Sequence, residues 1–125
     1  MEELGYLEAK ELVVDDYNDF IEDEGFTPSQ AIAATFEESV LMVRKSKKVY
    51  VSVIMTLAIL SLKQNFIPDY LLERLDSLKE IDALNDEEKS IYEEEKMNLQ
   101  KLLDTQNYSI DKDDVYKLRV NMLLE

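Results

Sequence analysis

Apolar residues recur at helical spacing along most of this chain. The opening segment has a polar side and an apolar side, and the apolar side comprises Leu7, Val13, Val14, Tyr17, Phe20 and Ile21. A stripe of this kind predicts an amphipathic helix whose apolar side faces a core. The helix is predicted to end at Gly25.

The second predicted helix has a clear start. Thr27-Pro28-Ser29-Gln30 combines an N-cap hydroxyl, a proline at the first helical position and a glutamine three residues after the cap, which is the pattern of a capping box. The inward residues that follow are Ile32, Phe36, Val40 and Val43. Arg44 and Lys45 close the segment, where cations suit the negative end of the helix dipole.

The third segment, residues 49–62, is apolar on nearly every side and follows Ser46, which can cap it. A helix without a polar face is predicted to lie at the centre of a fold. The alternation of Val49, Val51 and Val53 would fit a strand if read alone, but the later Leu, Ala and Met residues favour a helix.

Three further helices are predicted. Pro68 opens the fourth, Asn85 with Glu88 forms a second capping box before the fifth, and the acidic residues 111–114 precede the sixth. Residues 105–110 are predicted to form a loop. The expected inward residues of these helices are Leu71, Leu72, Leu75, Leu78, Ile81, Tyr92, Leu99, Leu103, Val115, Leu118 and Met122. The fold is therefore predicted to be all-α: one domain over residues 1–125, a compact bundle of five to six helices around a central apolar helix.

Composition narrows the possible chemistry. The chain has 125 residues with no Cys and no His, which excludes thiol catalysis, histidine general-base catalysis and zinc sites of the Cys/His type. Two Gly and two Pro are too few for a many-stranded sandwich or a glycine-rich phosphate loop. No catalytic residue, metal ligand or cofactor is predicted.

The net charge of −14 argues against binding to nucleic acid or to an anionic membrane, since both require clustered cations. The apolar segment 49–62 is also shorter than the about 20 residues of a spanning helix. The N-terminus lacks the pattern of a secretory signal. We therefore expect a cytoplasmic protein with a basic partner.

The carboxylates are concentrated at one end of the chain. Residues 1–24 hold ten Asp or Glu against Lys10 alone. Like charges one helical turn apart destabilise a helix by about 0.2–0.5 kcal/mol per pair, so the segment is a candidate docking surface for a cationic protein. Tyr17 and Phe20 are possible aromatic anchors, but both also fit the core stripe, and we expect Phe20 in the core. The alternative is a solvated face that maintains solubility. The predicted partner-binding residues are Glu11, Asp15, Asp16, Asp19, Glu22 and Asp23, with Glu37 and Glu38 if the first two helices pack antiparallel.

Two other functions are also compatible with the sequence, a nucleotide pyrophosphatase and an acidic mimic of nucleic acid. The pairs Glu8/Glu11 and Glu73/Asp76 have the spacing used by all-α nucleotide pyrophosphatases to hold Mg²⁺, although 28 acidic residues produce such pairs by chance. An acidic mimic of nucleic acid would repeat its charges along an elongated surface. The basic residues 44–48 are interpreted as a solubilising loop.

The order of residues 16–38 resembles a known family. Asp-Tyr-Asn-Asp-Phe-Ile-Glu-Asp-Glu-Gly-Phe at 16–26 leads into Thr-Pro-Ser-Gln-Ala at 27–31 and Thr-Phe-Glu-Glu at 35–38. This pattern is similar to the third Imm family of bacterial polymorphic toxin systems, and the similarity covers about residues 10–62. The resemblance implies a cytosolic, non-catalytic immunity protein that neutralises a cognate basic toxin domain, such as a nuclease. We expect a monomer or a weak homodimer.

Overall fold

The computed structural model describes residues 5–76, 78, 80–112 and 114–124. It contains six α-helices, two three-residue strands and a 3₁₀ turn at Glu80–Ala83. The helices are α1 (Tyr6–Glu22), α2 (Pro28–Lys45), α3 (Lys47–Lys63), α4 (Asp69–Asp76), α5 (Asp86–Thr105) and α6 (Asp114–Leu124), and the strands are β1 (Phe66–Pro68) and β2 (Ser109–Asp111). The prediction of a small all-α bundle is confirmed.

The centre of the bundle is α3. Apolar residues on every side of this helix are buried, among them Val49, Val51, Val53, Ile54, Met55, Leu57 and Leu62. Helices α1, α2, α4 and α5 pack around it. The segment is helical throughout, including the β-branched residues at its start, because enclosure on all sides outweighs their weak preference for strands. No helix in the described ranges is long and apolar enough to cross a bilayer.

The predicted caps are present. The Gln30 N–H donates to Thr27 Oγ1 at 3.3 Å, and the Thr27 N–H donates to Gln30 Oε1 at 3.0 Å. Ser46 alone separates α2 from α3, and its hydroxyl oxygen accepts from the Val49 N–H at 3.3 Å. These bonds satisfy N–H groups that the helix itself leaves unpaired, so the start of both helices is determined locally.

Glu88 joins the starts of two helices. Its Oε1 accepts from the Asn85 N–H at 3.0 Å, which completes the predicted capping box of α5, and its Oε2 accepts from the Tyr6 N–H at the start of α1 at 3.1 Å. The Lys48 ammonium lies 3.0 Å from Oε1. Lys48 was predicted to be part of a solubilising loop, and it instead neutralises a buried carboxylate. A single side chain therefore links α1, α3 and α5.

These contacts set the protonation of Glu88. Burial, the largest single effect, raises the pKa of the carboxyl, but the Asn85 N–H, the Lys48 ammonium and the Tyr6 N–H together place this pKa below its ordinary value. Hydrogen bonds and opposite charges favour the ionised form. The carboxylate therefore stabilises the folded state when it is charged.

Two short strands were not predicted. β1 pairs with β2 in parallel, with Phe66 opposite Ser109, Ile67 opposite Ile110 and Pro68 opposite Asp111. The pairing ties the link between α3 and α4 to the link between α5 and α6, where residues 105–110 were predicted to be a loop. Pro68 ends β1 and precedes α4, which begins at Asp69 rather than at the proline. Three-residue strands leave too short a pattern to recognise in a sequence.

The last helix packs differently from the prediction. Tyr116 donates its hydroxyl to the Ala33 carbonyl at 2.9 Å, and its ring contacts that of Tyr70 in a tilted arrangement with a centroid distance of 4.9 Å. Val120 is buried, whereas Leu118 and Met122 are 65% and 74% exposed. The predicted inward face of α6 is therefore wrong at these two positions. The side chains of Ile81 and Val115 lie outside the described part of the chain.

The inward face of α1 is rotated relative to the prediction. The buried residues are Tyr6, Ala9, Val13 and Tyr17, while Leu7 is 47% exposed. The small Ala9 allows close approach to α3, and α2 covers the side of α1 that carries Phe20. Periodicity alone could not distinguish two overlapping apolar stripes on one helix.

We expect Ile54→Ala to lower the free energy of unfolding by about 2–5 kcal/mol, because Ile54 is fully buried in α3 and truncation leaves a cavity. Urea denaturation measures the change. Leu118→Ala is the control, since its exposed side chain should change stability by less than about 0.5 kcal/mol. Equal effects of the two variants would contradict the central position of α3.

We expect Glu88→Gln to lower the free energy of unfolding at pH 7 by about 1.5–3 kcal/mol, because the amide cannot replace the charged contacts. The folded-state pKa of Glu88 is lowered, so its stabilisation is present above the ordinary carboxyl range and is lost as pH falls through the folded-state pKa. The gap between wild type and variant should therefore narrow as a denaturation series is extended to low pH. Glu87→Gln, on the exposed side of the same turn, should show no comparable gap at pH 7.

Candidate partner-binding surface

Four of the predicted carboxylates form a row along the outside of α1. Glu11, Asp15, Asp19 and Glu22 are spaced i, i+4, i+8 and i+11, and all four are exposed. This row, called here the acidic ridge, lies opposite the buried face of α1. None of the four forms an ion pair with any residue in the described ranges. The ridge therefore presents uncompensated negative charge to solvent.

A tight turn brings α2 back along α1. Gly25 has φ +70°, a left-handed conformation that glycine adopts without a steric penalty. Across it the Phe26 N–H donates to the Phe20 carbonyl at 3.0 Å, and the two rings stack with centroids 5.4 Å apart. α1 and α2 run antiparallel, as the prediction for Glu37 and Glu38 required. Asp23 follows α1 and is exposed.

Asp16 and Glu38 meet across the two helices. Asp16 is half-buried, and Glu38 is exposed on the facing side of α2. Burial raises the pKa of Asp16, and the negative charges of Glu38, Asp19 and Asp15 raise it further. A nearby like charge disfavours the ionised form of a carboxyl group. The junction therefore holds electrostatic repulsion that a cation would relieve.

Glu37 already has a partner in the chain. Arg119 of α6 donates from Nε to Glu37 Oε1 at 2.6 Å, and both side chains are largely exposed. This ion pair links α6 to α2. Of the two α2 carboxylates predicted to bind a partner, Glu38 therefore carries the uncompensated charge.

Some of the predicted residues border two different grooves. Glu11 and Asp15 border a shallow groove of about 510 Å³ that also contains Leu7, Lys10 and Val14. Glu37 and Glu38 border a second shallow groove of about 610 Å³, which we call the α1–α2 groove, together with Phe20, Phe26, Ala34 and Leu41. The acidic ridge separates the two grooves.

The aromatic anchors differ from the prediction. Tyr17 is buried in the core, whereas Phe20, which was expected in the core, is half-buried: it packs against the core and also lines the groove. Phe26 and Leu41 also line this groove and were not predicted to do so, and Leu41 is 68% exposed. Leu41 lies outside the inward stripe of α2 and comes one helical turn after Glu37 and Glu38. An apolar residue in such a place is a usable signal for a surface contact.

A second carboxylate, Glu95 of α5, is buried in the interior near the start of α1. The Lys10 ammonium lies 3.0 Å from its Oε2, and Glu95 itself is 5% exposed. Burial, followed by the neighbouring Glu95 carboxylate, raises the pKa of Tyr6 well above its ordinary value. Lys10 is partly exposed and pairs with Glu95, and among the described residues it forms no ion pair with the four carboxylates of the acidic ridge.

The two carboxylate pairs considered for Mg²⁺ lie on different helices: Glu8 and Glu11 on α1, and Glu73 and Asp76 on α4. Glu8 Oε1 accepts from the Gly5 N–H at 3.3 Å at the start of α1. Within the described ranges, no group of three or more acidic side chains is arranged to hold a metal ion. Glu2 and Glu3, which contribute to the acidic end in the sequence, lie outside the described residues.

We expect Glu38→Gln to lower the pKa of Asp16 towards its ordinary value and to raise the free energy of unfolding by about 0.2–0.5 kcal/mol at low salt, because one repulsive charge is removed. Carboxyl NMR titration and urea denaturation measure the two effects. Glu94→Gln is a matched control, since Glu94 is an exposed helical glutamate with no acidic residue one turn away. An unchanged titration of Asp16 in Glu38→Gln would contradict the proximity of the two carboxylates.

Comparison of the chain with protein-family models, curated protein sequences and solved structures gave no significant match. The resemblance of residues 10–62 to the third Imm family therefore stays a prediction. The features that bear on function are the acidic ridge, the α1–α2 groove and their charges.

Proposed function

We propose that this protein is a cytosolic, non-catalytic inhibitor of the immunity-protein type, which binds a basic toxin domain through its acidic surface. The observation that carries the proposal is the acidic ridge: Glu11, Asp15, Asp19 and Glu22 project from one helix without an ion pair to any described residue. The resemblance of residues 10–62 to an Imm family is in agreement with it.

The cost of the ridge supports a binding role. Its carboxylates one turn apart repel each other, and each such pair lowers helix stability by about 0.2–0.5 kcal/mol. Solubility alone does not require this placement, because acidic residues are also spread over α5. A surface that is unfavourable for folding and directed at solvent is typical of a site that serves a partner.

Such a ridge would increase the rate at which this protein binds a cationic toxin. An inhibitor of a toxin must bind before damage accumulates, and complementary charge raises association rate constants from about 10⁵–10⁶ to about 10⁸–10⁹ M⁻¹s⁻¹ at low salt. A nuclease is the toxin class that suits this charge, because its substrate cleft is itself built to attract phosphates.

The dimensions of the ridge favour protein docking over mimicry of DNA. Glu11 and Glu22 are eleven residues apart, which is about 16 Å along a helix at 1.5 Å per residue. This length is less than half of the about 34 Å turn of DNA. A mimic that extends over a DNA-binding cleft would need a longer row of charges.

The test is a charge reversal on the ridge. We expect Asp15→Lys, Asp19→Lys and Glu22→Lys in one variant to lower the association rate constant for the cognate toxin by about ten- to hundredfold at low salt, with the difference shrinking as salt is added. The proposal predicts a toxin gene beside the gene of this chain; its product, catalytically inactivated, is the partner in the assay, and stopped-flow mixing measures the rate.

The control reverses three exposed acidic residues on α5, Glu93, Glu94 and Asp104, and keeps the net charge of the variants equal. We expect a much smaller loss of rate in the control. Equal losses would assign the effect to net charge rather than to the ridge. Absence of any complex between the wild-type chain and the neighbouring gene products, at any ionic strength, would contradict the proposal itself.

A further inference from the structure

The α1–α2 groove combines an apolar floor with an acidic rim. Phe20 and Phe26 form the floor as a stacked pair with an interplanar angle of 2°. Ala34 is small enough to leave the space above them open, and Leu41 projects beside it with 68% of its surface exposed. Exposed apolar surface bordered by polar residues is typical of an interaction site.

The charge at the rim defines what fits there. Glu38 borders the groove, and the half-buried Asp16 lies next to it. Neither carboxylate forms an ion pair with any residue of the described part of the chain. A positively charged group placed between them would relieve the repulsion that raises the pKa of Asp16. The complementary occupant is therefore cationic at its tip and apolar beside it.

The protein itself shows which cation suits this rim. Arg119 pairs with Glu37 at 2.6 Å on the same edge of the groove, and so a guanidinium is already accepted there. A guanidinium is planar, stacks on aromatic faces and can bind a carboxylate with two parallel N–H groups. An ammonium offers only a point charge. The phenylalanine floor thus favours arginine over lysine.

The groove on the other side of the acidic ridge is less suitable. Lys10 lies in it and brings a positive charge to its wall, although the ammonium is directed to Glu95 at 3.0 Å. The floor there is formed by Leu7 and Val14, which lack an aromatic face. This groove therefore offers an incoming arginine no aromatic surface on which to stack.

We propose that the α1–α2 groove binds an arginine side chain, flanked by an apolar residue, on the surface of the partner protein. In the context of the proposed function, the acidic ridge guides the toxin domain and this groove holds it. The inference rests on that function for the identity of the partner, but the chemistry of the groove can be tested without the toxin.

The test uses three synthetic amphipathic peptides of equal length and net charge. The first carries arginine and leucine, the second lysine and leucine, and the third arginine and glutamine. Each is titrated into the full ¹⁵N-labelled chain and followed by amide shifts in NMR. We expect the arginine–leucine peptide to bind most tightly and to shift the amides around Ala34, Glu38 and Leu41.

Two variants test the groove directly. We expect Glu38→Gln and Leu41→Gln each to weaken binding of the arginine–leucine peptide by about three- to tenfold, and the control Glu94→Gln to have little effect. Leu41 and Glu38 are exposed, so we expect an unchanged thermal midpoint for Leu41→Gln and no loss of stability for Glu38→Gln, whose small gain at low salt is given above. Equal binding of the lysine–leucine peptide, equal effects of Glu38→Gln and Glu94→Gln, or shifts confined to residues around Leu7 and Val14 would each overturn the assignment.

The toxin domain separates this inference from the proposed function. Capture of the toxin with the same dissociation rate for wild type, Glu38→Gln and Leu41→Gln would overturn the groove and leave the inhibitor role intact. Binding of the arginine–leucine peptide at the groove, together with a failure to capture any neighbouring toxin, would support the groove and overturn the inhibitor role.

Discussion

The structure depends on the burial of one helix on all sides. α3 has almost no polar face, and the apolar side chains from Val49 to Leu62 can leave water only if other helices surround it. α1, α2, α4 and α5 do so, and each contributes one apolar face. The opposite face of each of these four helices is not needed to cover α3. The acidic residues occur on those faces, where they do not disturb the core.

The few charges that enter the interior have structural functions. Glu88 accepts hydrogen bonds at the starts of both α1 and α5 and pairs with Lys48 of α3, while Glu95 pairs with Lys10. A buried charge is tolerated only when it is paired and hydrogen-bonded. Lys10 and Lys48 therefore pair with buried carboxylates, and the carboxylates on the outer surface of α1 form no ion pair with any described residue.

The acidic ridge and the α1–α2 groove have complementary physical effects. Exposed charges act over about 10 Å at moderate salt and mainly change the rate of encounter. A small apolar floor with an aromatic pair acts only on contact and mainly changes the rate of dissociation. The Gly25 turn places the two features side by side, since it folds α2 back along α1. A partner that is steered by the ridge would meet the groove without a further rearrangement of this chain.

Local sequence features were sufficient for the elements that local chemistry determines. The capping boxes at Thr27 and Asn85, the central position of α3, the all-α fold and the acidic outer face of α1 all follow from spacing, because a cap or an apolar stripe is formed within a few residues. The strand pair, the rotated inward face of α1, the exposed Leu118 and the contact of Glu88 with Tyr6 do not follow from it. Each of these joins residues that are distant in the chain, or depends on which neighbour covers which side of a helix. The meeting of Asp16 with Glu38, and the groove beside them, likewise arose only when the Gly25 turn brought two helices together, since periodicity describes one helix and carries no information about its neighbour.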